Sequence, residues 1–184
     1  MYNLPSSPLS CHPPLRGAGR VSIRGREGLS NHQQKMNDIQ LTPHFRLSEF
    51  TRSAVALERG IDNRLDPARP EHQPIIANLQ SLCLHILEPL RQAFAQPIVI
   101  NSGYRTPELN RAVGGSPTSQ HLKGQAADLS WPADLTVHRW LIWLHSHAPY
   151  DQLILERNLK TGAKWLHISH TPNPRHQYIP QKVT

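Results

Sequence analysis

The sequence has no long apolar segment and very little cysteine. No run among its 184 residues approaches the roughly 20 consecutive apolar residues that span a bilayer, and its first residues lack the short apolar block of a secretory signal. Two cysteines, Cys11 and Cys83, cannot build a disulfide framework. We therefore expect a protein without a membrane span that is cytoplasmic as synthesised.

Acidic residues are also scarce, because 13 Asp and Glu stand against 20 Lys and Arg. Residues 1–36 are rich in Pro, Ser, Gly and Arg and show neither a helical nor a strand period, which predicts a disordered basic tail; Met36 is an alternative start. A basic balance favours a polyanionic partner, either nucleic acid or a bacterial wall polymer. Because aromatic residues do not interleave with the basic ones in the tail, we expect no nucleic-acid partner.

Apolar residues at three- and four-residue steps predict a long helix from residue 70 to about residue 94. Pro89 lies inside this segment and is expected to kink the helix or to separate its last turn. A further amphipathic helix is predicted over residues 134–147. Its apolar residues available for burial are Leu135, Trp140, Leu141, Trp143 and Leu144.

The period then changes to two, which predicts strands. These strands cover residues 97–104, 124–131, 152–156 and 165–170. The last two are joined by a loop with Gly162 and suit a hairpin, whereas residues 173–184 are polar and predict a loose C-terminal tail. The predicted domain, residues 37–172, is α+β: N-terminal helices pack on a small, mostly antiparallel sheet. We expect a monomer.

One candidate site lies around the second predicted strand, residues 124–131. His121 precedes a strand, and Asp128 lies within it. Because side chains alternate across a strand, Gly124, Ala126 and Asp128 share one face, and the two small residues leave open space before the carboxylate. A buried carboxylate without a partner is costly, and a cation beside an imidazole removes that cost.

His167 extends the candidate site from a late strand. Leu166 and Ile168 point to one face of that strand, whereas Trp165, His167 and Ser169 point to the other. Two histidines and one aspartate on or beside strands form a three-ligand set with an open fourth position, which is typical of catalytic zinc. Zinc lowers the pKa of its bound water toward about 7 and so provides a nucleophile at neutral pH.

Hydrolysis also needs a general base. Glu156 ends the strand that precedes the hairpin loop and is the candidate base; a solvated charge at the hairpin end is the alternative. Arg105 follows a strand end and is a candidate donor to a carboxylate or a polarised carbonyl. Its alternatives are to cap the following helix or to pair with Glu108.

Each of the other candidates has a structural interpretation as well. The spacing His-x6-Asp is weak evidence for a metal pair when taken alone, and a single histidine in a strand, such as His167, is more often a hydrogen-bonded core residue. Tyr104 and Ser119 suit turn packing and loop hydrogen bonding. His170 lies three residues beyond His167, on the opposite strand face, and is not expected to be a ligand.

The combination of motifs is more specific than its parts. The sequence contains Ser102-Gly103-Tyr104-Arg105, then Ser119-x-His121-x-x-Gly124-x-Ala126-x-Asp128, then Trp165-x-His167. In this order they resemble the D-Ala-D-Ala carboxypeptidase-like zinc peptidases, which include D,D-carboxypeptidases, D-Ala-D-Ala dipeptidases and phage L-alanyl-D-glutamate endopeptidases. The resemblance covers roughly residues 41–170.

The resemblance implies a hedgehog/D,D-peptidase-like fold, a Zn2+ cofactor and a substrate among the stem peptides of peptidoglycan. The implied zinc ligands are His121, Asp128 and His167. Arg105 would bind or polarise the substrate, with Tyr104 beside it, and Ser119 would support the loop that bears His121. The cell wall would be the site of action.

The sequence departs from familiar members just before the last histidine. Those members place Glu three positions earlier or His two positions earlier, where this chain has Lys164 and Trp165. It resembles instead a subgroup in which a glutamate, here Glu156, closes the preceding strand. A non-catalytic module of the same fold that retains zinc for stability is the alternative to an enzyme.

Overall fold

Two short strands, β1 (Gln40–Thr42) and β2 (Phe45–Arg46), open the part of the chain that the structure, a computed structural model, describes. That part covers residues 38–183; the predicted basic tail, residues 1–36, lies outside it. Two short helices follow, α1 (Leu47–Thr51) and α2 (Ala54–Arg59). Gly60 ends α2 in the left-handed conformation, which glycine adopts without a steric penalty.

The predicted long helix is present but divided. A 3-10 turn (Pro70–His72) leads into α3 (Gln73–Leu82), a π-helical turn (Cys83–Leu87) and then α4 (Glu88–Phe94). Pro89 lies in the first turn of α4 and has no N–H to donate to the preceding turn. The division takes the form of a π turn that ends at Leu87, two residues before the proline, and the helix continues through Pro89 to Phe94.

The second half of the chain forms a five-stranded sheet. Its strands are β3 (Ile100–Ser102), β4 (Ala126–Ser130), β5 (Gln152–Arg157), β6 (Lys164–Ser169) and β7 (Gln177–Val183). Their order is β3-β4-β6-β5-β7, and all pairs are antiparallel except the parallel pair of β5 and β7. Helices followed by this mostly antiparallel sheet confirm the α+β prediction.

Three further helical segments connect the strands. They are α5 (Pro107–Ala112), a 3-10 turn (Gln120–Lys123) and α6 (Asp134–His147). Within α6, Trp140 and Leu144 are buried as expected, and Val137 is buried too. Leu135 is 83% exposed, so its predicted burial is wrong; it lies in the first turn, outside the face that packs on the core.

One apolar core joins the helices to the sheet. The π turn and α4 contribute Ile86 and Leu90, and the sheet contributes Leu129 and Leu166, all fully buried. The opposite sheet face is therefore left for the polar side chains of β4, β5 and β6. Within residues 38–183 no helix combines the length and apolarity that crossing a bilayer requires.

Two segments differ from their predictions. Residues 173–184 were expected to be a loose tail, but Gln177–Val183 pairs along β5; because nearly every residue of β7 is exposed, the strand has no hydrophobic alternation to reveal it. Gly124 was expected to lie in a strand beside Ala126. It instead ends the 3-10 turn with a φ of 67°, and β4 starts at Ala126.

Candidate metal centre

Asp128 and His167 face each other across neighbouring strands. In the antiparallel pair of β4 and β6, Asp128 lies opposite His167, while Leu129 lies opposite Leu166. Directly opposed residues share a face, so the carboxylate and the imidazole project from one face while the leucines enter the core. The alternation predicted for both strands is confirmed from Ala126 onward.

His121 reaches the same place from the 3-10 turn before β4. The turn ends at Gly124, where an added Cβ would lie 2.6 Å from the carbonyl oxygen of Ile75, so only glycine fits this close approach to α3. The backbone N–H of Arg105 donates to the carbonyl of His121. The imidazole thereby lies buried between the β3–α5 loop and the sheet.

The three side chains form a tight triangle. Nε2 of His121 lies 3.2 Å from Oδ1 of Asp128, Nδ1 of His167 lies 2.9 Å from the same oxygen, and the two nitrogens are 3.3 Å apart. The three side chains are only 3%, 10% and 9% exposed, in the order His121, Asp128 and His167. Residues far apart in sequence thus place three metal-ligating atoms together.

Hydrogen bonding fixes the tautomer of His121. Its Nδ1 lies 2.6 Å from the carbonyl oxygen of Gly103, and because a carbonyl can only accept, Nδ1 carries the proton. In the neutral ring Nε2 therefore has a free lone pair. Burial lowers the pKa of His121 and outweighs the opposing attraction of Asp128, which favours this neutral ring.

The charges and donor atoms of the triangle suit a bound cation. Burial disfavours a charged Asp128, but the imidazoles of His121 and His167 outweigh it and hold the pKa of the carboxyl well below its usual range. Oδ1 of Asp128 and the free lone pair of Nε2 lie 3.2 Å apart and point to one place. A metal ion would fit there, because it would accept a lone pair from each of the three atoms.

The size of the triangle fits zinc. Two ligands at about 2.1 Å from a tetrahedral zinc ion are about 3.4 Å apart. The three separations between the ligating atoms are 3.2, 2.9 and 3.3 Å, so small movements bring them to that geometry. Two imidazoles and one carboxylate are also a donor set that suits zinc.

The family model described as Peptidase M15 matches residues 43–169, which contain all three members of the triangle. This chain belongs to the peptidase M15 family. The resemblance inferred from the motifs is confirmed, and the M15 family consists of zinc peptidases, which supports a metallopeptidase acting on peptidoglycan. A comparison with curated proteins gave no match.

In this M15 chain, Arg105 contacts the triangle itself. Its Nη2 donates to Oδ2 of Asp128 at 2.5 Å, and its Nε donates to Oγ of Ser102 at 2.8 Å. Ser102 lies opposite Asp128 in the pairing of β3 and β4. Arg105 thus occupies the carboxylate oxygen that the imidazoles leave free, rather than pairing with Glu108.

Glu156 shares the sheet face of the triangle. In the hairpin it lies opposite Trp165, and Ile154 lies opposite His167, so Glu156 is displaced from His167 by one diagonal step along the same face. Glu156 is 8% exposed, and its carboxylate accepts from Nζ of Lys182 at 3.4 Å. The strand register therefore places Glu156 near His167, as expected from the hairpin.

The remaining predicted residues flank the triangle. Oγ of Ser119 accepts from the backbone N–H of His121 at 3.4 Å, which matches its expected support of that loop. Tyr104 is buried, and burial raises the pKa of its phenol. His170 lies outside the triangle, with its Nδ1 donating to Pro149.

Sequence reasoning missed Asn63. This buried amide donates to the carbonyls of Thr51 and Tyr104 and accepts from the N–H of Thr106. It thereby fixes the loop that presents Arg105 and the carbonyl of Gly103. No periodicity or motif marked Asn63, because its role depends on contacts with residues more than 40 positions away.

Proposed function

We propose that the chain is a zinc metallopeptidase that hydrolyses a peptide bond in the stem peptides of peptidoglycan. The observation that carries the proposal is the buried triangle of two imidazole nitrogens and one carboxylate oxygen inside the M15 match. The free lone pair on His121 and the separations near 3 Å support zinc as the ion that these residues hold.

His121, Asp128 and His167 would be the ligands, and bound zinc would supply Lewis-acid activation of a water molecule near neutral pH. The side chains of the protein prepare the site for the ion. Asp128 stays ionised at neutral pH because its pKa is held low. His121 keeps its ligating nitrogen aimed at the site through its hydrogen bond to Gly103.

Glu156 is the proposed general base. It would take a proton from the attacking water and return it to the leaving amine, as a carboxylate near the reacting atoms can. Its shared face with His167 and its low exposure support this role. Arg105, with Tyr104 and Ser119 beside it, would line the substrate side and orient a carboxylate or carbonyl of the peptide.

Metal removal and return test the function. Purified wall sacculi should release peptides with the zinc-loaded protein, should release none after treatment with a strong chelator, and should be cleaved again after zinc is added back. Mass analysis of the released ends identifies a D,D-carboxypeptidase or an L-alanyl-D-glutamate endopeptidase. Release that is indifferent to the chelator contradicts the proposal.

A zinc-containing module without turnover is the second candidate. The absence of a base at Lys164 or Trp165 and the ion pair of Glu156 with Lys182 favour it. For an enzyme, Glu156→Gln should lower kcat about 100-fold or more with zinc content unchanged, while Glu58→Gln on the exposed surface of α2 should leave kcat unaffected. A parent protein that binds zinc but cleaves no wall substrate supports the module.

A further inference from the structure

The C-terminal strand lies beyond the family match yet contacts the proposed active site. The match ends at residue 169, and β7 covers Gln177–Val183 along the outer edge of β5. Because β5 bears Glu156, the strand places new side chains beside the proposed base. Family membership therefore says nothing about what these side chains do.

An irregularity in the pairing selects which residue of β7 meets Glu156. Ile154 pairs with Ile179, but Glu156 pairs with Lys182, so three steps along β7 match two along β5. A regular register would place Gln181 there instead. Pro180, which has no N–H for the ladder, lies inside the irregular stretch, and the extra residue of such a bulge changes which side chain shares the face.

The beginning of β7 is fixed independently of Lys182. Arg175 donates through Nε and Nη2 to the carboxylate of Asp151, at 3.0 Å and 2.5 Å, and the side chain of Asp151 is only 3% exposed. The N–H of Gln177 donates to the carbonyl of Asp151. The strand is therefore anchored where it enters the sheet, and the irregularity beyond Ile179 then brings Lys182 opposite Glu156.

The ion pair joins a shielded carboxylate to a solvated ammonium. Nζ of Lys182 lies 3.4 Å from Oε1 of Glu156, and the two side chains are 50% and 10% exposed respectively. An exposed lysine on an edge strand commonly serves only to prevent edge pairing. Here its partner is a buried carboxylate on the triangle's face, which needs a nearby donor because its own hydration is reduced.

We propose that Lys182 is a positioning residue that holds the carboxylate of Glu156 in place beside the metal centre. The proposal rests on the proposed function, in which Glu156 moves protons. By this proposal β7, which lies outside the M15 match, contributes a residue that supports the active site. Lys182 acts through Glu156 and does not touch the reacting atoms.

Four variants of the full chain test this role: Lys182→Met, Lys182→Arg, Glu156→Gln and the double variant Lys182→Met/Glu156→Gln. Removing the ammonium should lower kcat about tenfold, a part of the 100-fold or more that a general base contributes, with KM and zinc content unchanged. Lys182→Arg should restore most of the lost kcat. In the Glu156→Gln background, Lys182→Met should cause no further loss, because residues that act as a unit are not additive.

Lys160→Met is the matched control, because Lys160 is an exposed lysine in the hairpin loop, and its kcat should equal that of the parent. Lys182→Gln provides a second neutral variant, and thermal unfolding of each variant checks that the fold is retained. Parent kcat in Lys182→Met, or an equal loss of kcat in the Glu156→Gln background, overturns the role of Lys182 alone. A zinc-loaded parent that releases no wall peptide overturns the proposed function and this role together.

Discussion

At the scale of single residues, Asp128 connects the two parts of the centre. One of its oxygens faces both imidazoles, and the other accepts from Arg105. Arg105 in turn is held by Ser102. Such hydrogen bonds to a ligating carboxylate orient it and tune metal affinity, so we expect Arg105 to affect metal binding in addition to its proposed role toward substrate.

Replacing Arg105 should therefore weaken metal binding. We expect Arg105→Met to lower zinc affinity roughly 10-fold to 100-fold, the range found for residues behind the ligands, as measured by competition with a chromophoric chelator. Arg64→Met removes a similar guanidinium from the exposed pair with Asp62 and should not change the affinity. Unchanged zinc affinity in Arg105→Met would limit Arg105 to substrate binding.

The sequence identified the triangle but not the arginine's partner. His121, Asp128 and His167 lie in motifs whose order is specific, and strand alternation alone sets the direction of two of them. The contact between Arg105 and Asp128 depends instead on how β3 pairs with β4 across 23 positions. That register is irregular, so period and spacing contain no signal for it.

At the scale of elements, the 3-10 turn before β4 decides where His121 lies. Gly124 ends this turn with a φ of 67°, and an added Cβ would lie 2.6 Å from the carbonyl of Ile75. Both the backbone conformation and the packing on α3 therefore require glycine. Gly162 in the hairpin loop has a φ of 73° and nothing within 4 Å of an added Cβ.

Comparing Gly124 with Gly162 separates the cost of the left-handed backbone conformation from the cost of a steric clash. We expect Gly162→Ala to lower the free energy of unfolding by about 1 kcal/mol through its backbone conformation alone, and Gly124→Ala to lower it by about 3 kcal/mol because a clash is added. Urea denaturation of both variants measures the difference. Equal losses would show that α3 moves away at little cost, which contradicts the tight packing described for this turn.

The predictable elements were those with a buried face. The divided helix has an apolar stripe that packs on the core. The strands β5 and β6 alternate between apolar side chains on the core face and other side chains on the opposite face. β7 escaped prediction because it is an edge strand that is exposed along nearly its whole length, so no apolar period accompanies it. Its stability comes from pairing with β5 and from the anchor at Arg175.

At the scale of the whole molecule, Asp151 ties the segments around the centre together. Its carboxylate accepts from Gln120, which precedes His121, and from Thr171 and Arg175, which follow β6. Hydrogen bonds from Arg175 lower the pKa of Asp151 to about 2, against the opposing effect of burial. The same carboxylate thus links the 3-10 turn that bears His121 with the segment that leads into β7.

The lowered pKa predicts a pH dependence of stability. The unfolded carboxyl binds a proton more readily than the folded one, so the contribution of Asp151 is full above about pH 4 and is lost as the pH falls toward 2. It amounts to about 1–2 kcal/mol, because Arg175 is 58% exposed and solvent screens the pair. Urea midpoints of the chelator-treated protein between pH 7 and pH 3 measure it.

The difference in stability between the parent and Asp151→Asn should narrow as the pH falls through this window. Glu58→Gln is the control, because Glu58 lies on the exposed surface of α2, and its variant should differ little from the parent at any pH. A difference between the parent and Asp151→Asn that stays constant from pH 7 to pH 3 would contradict the account of Asp151.

Anomalous diffraction at the zinc edge, from crystals of the protein loaded with one equivalent of zinc, examines the metal centre most directly. We predict a single strong peak about 2.0–2.2 Å from Nε2 of His121, Nδ1 of His167 and one oxygen of Asp128. A map without a peak at this position, or with zinc bound only by other side chains, would contradict the assignment of these three residues and the hydrolytic function built on it.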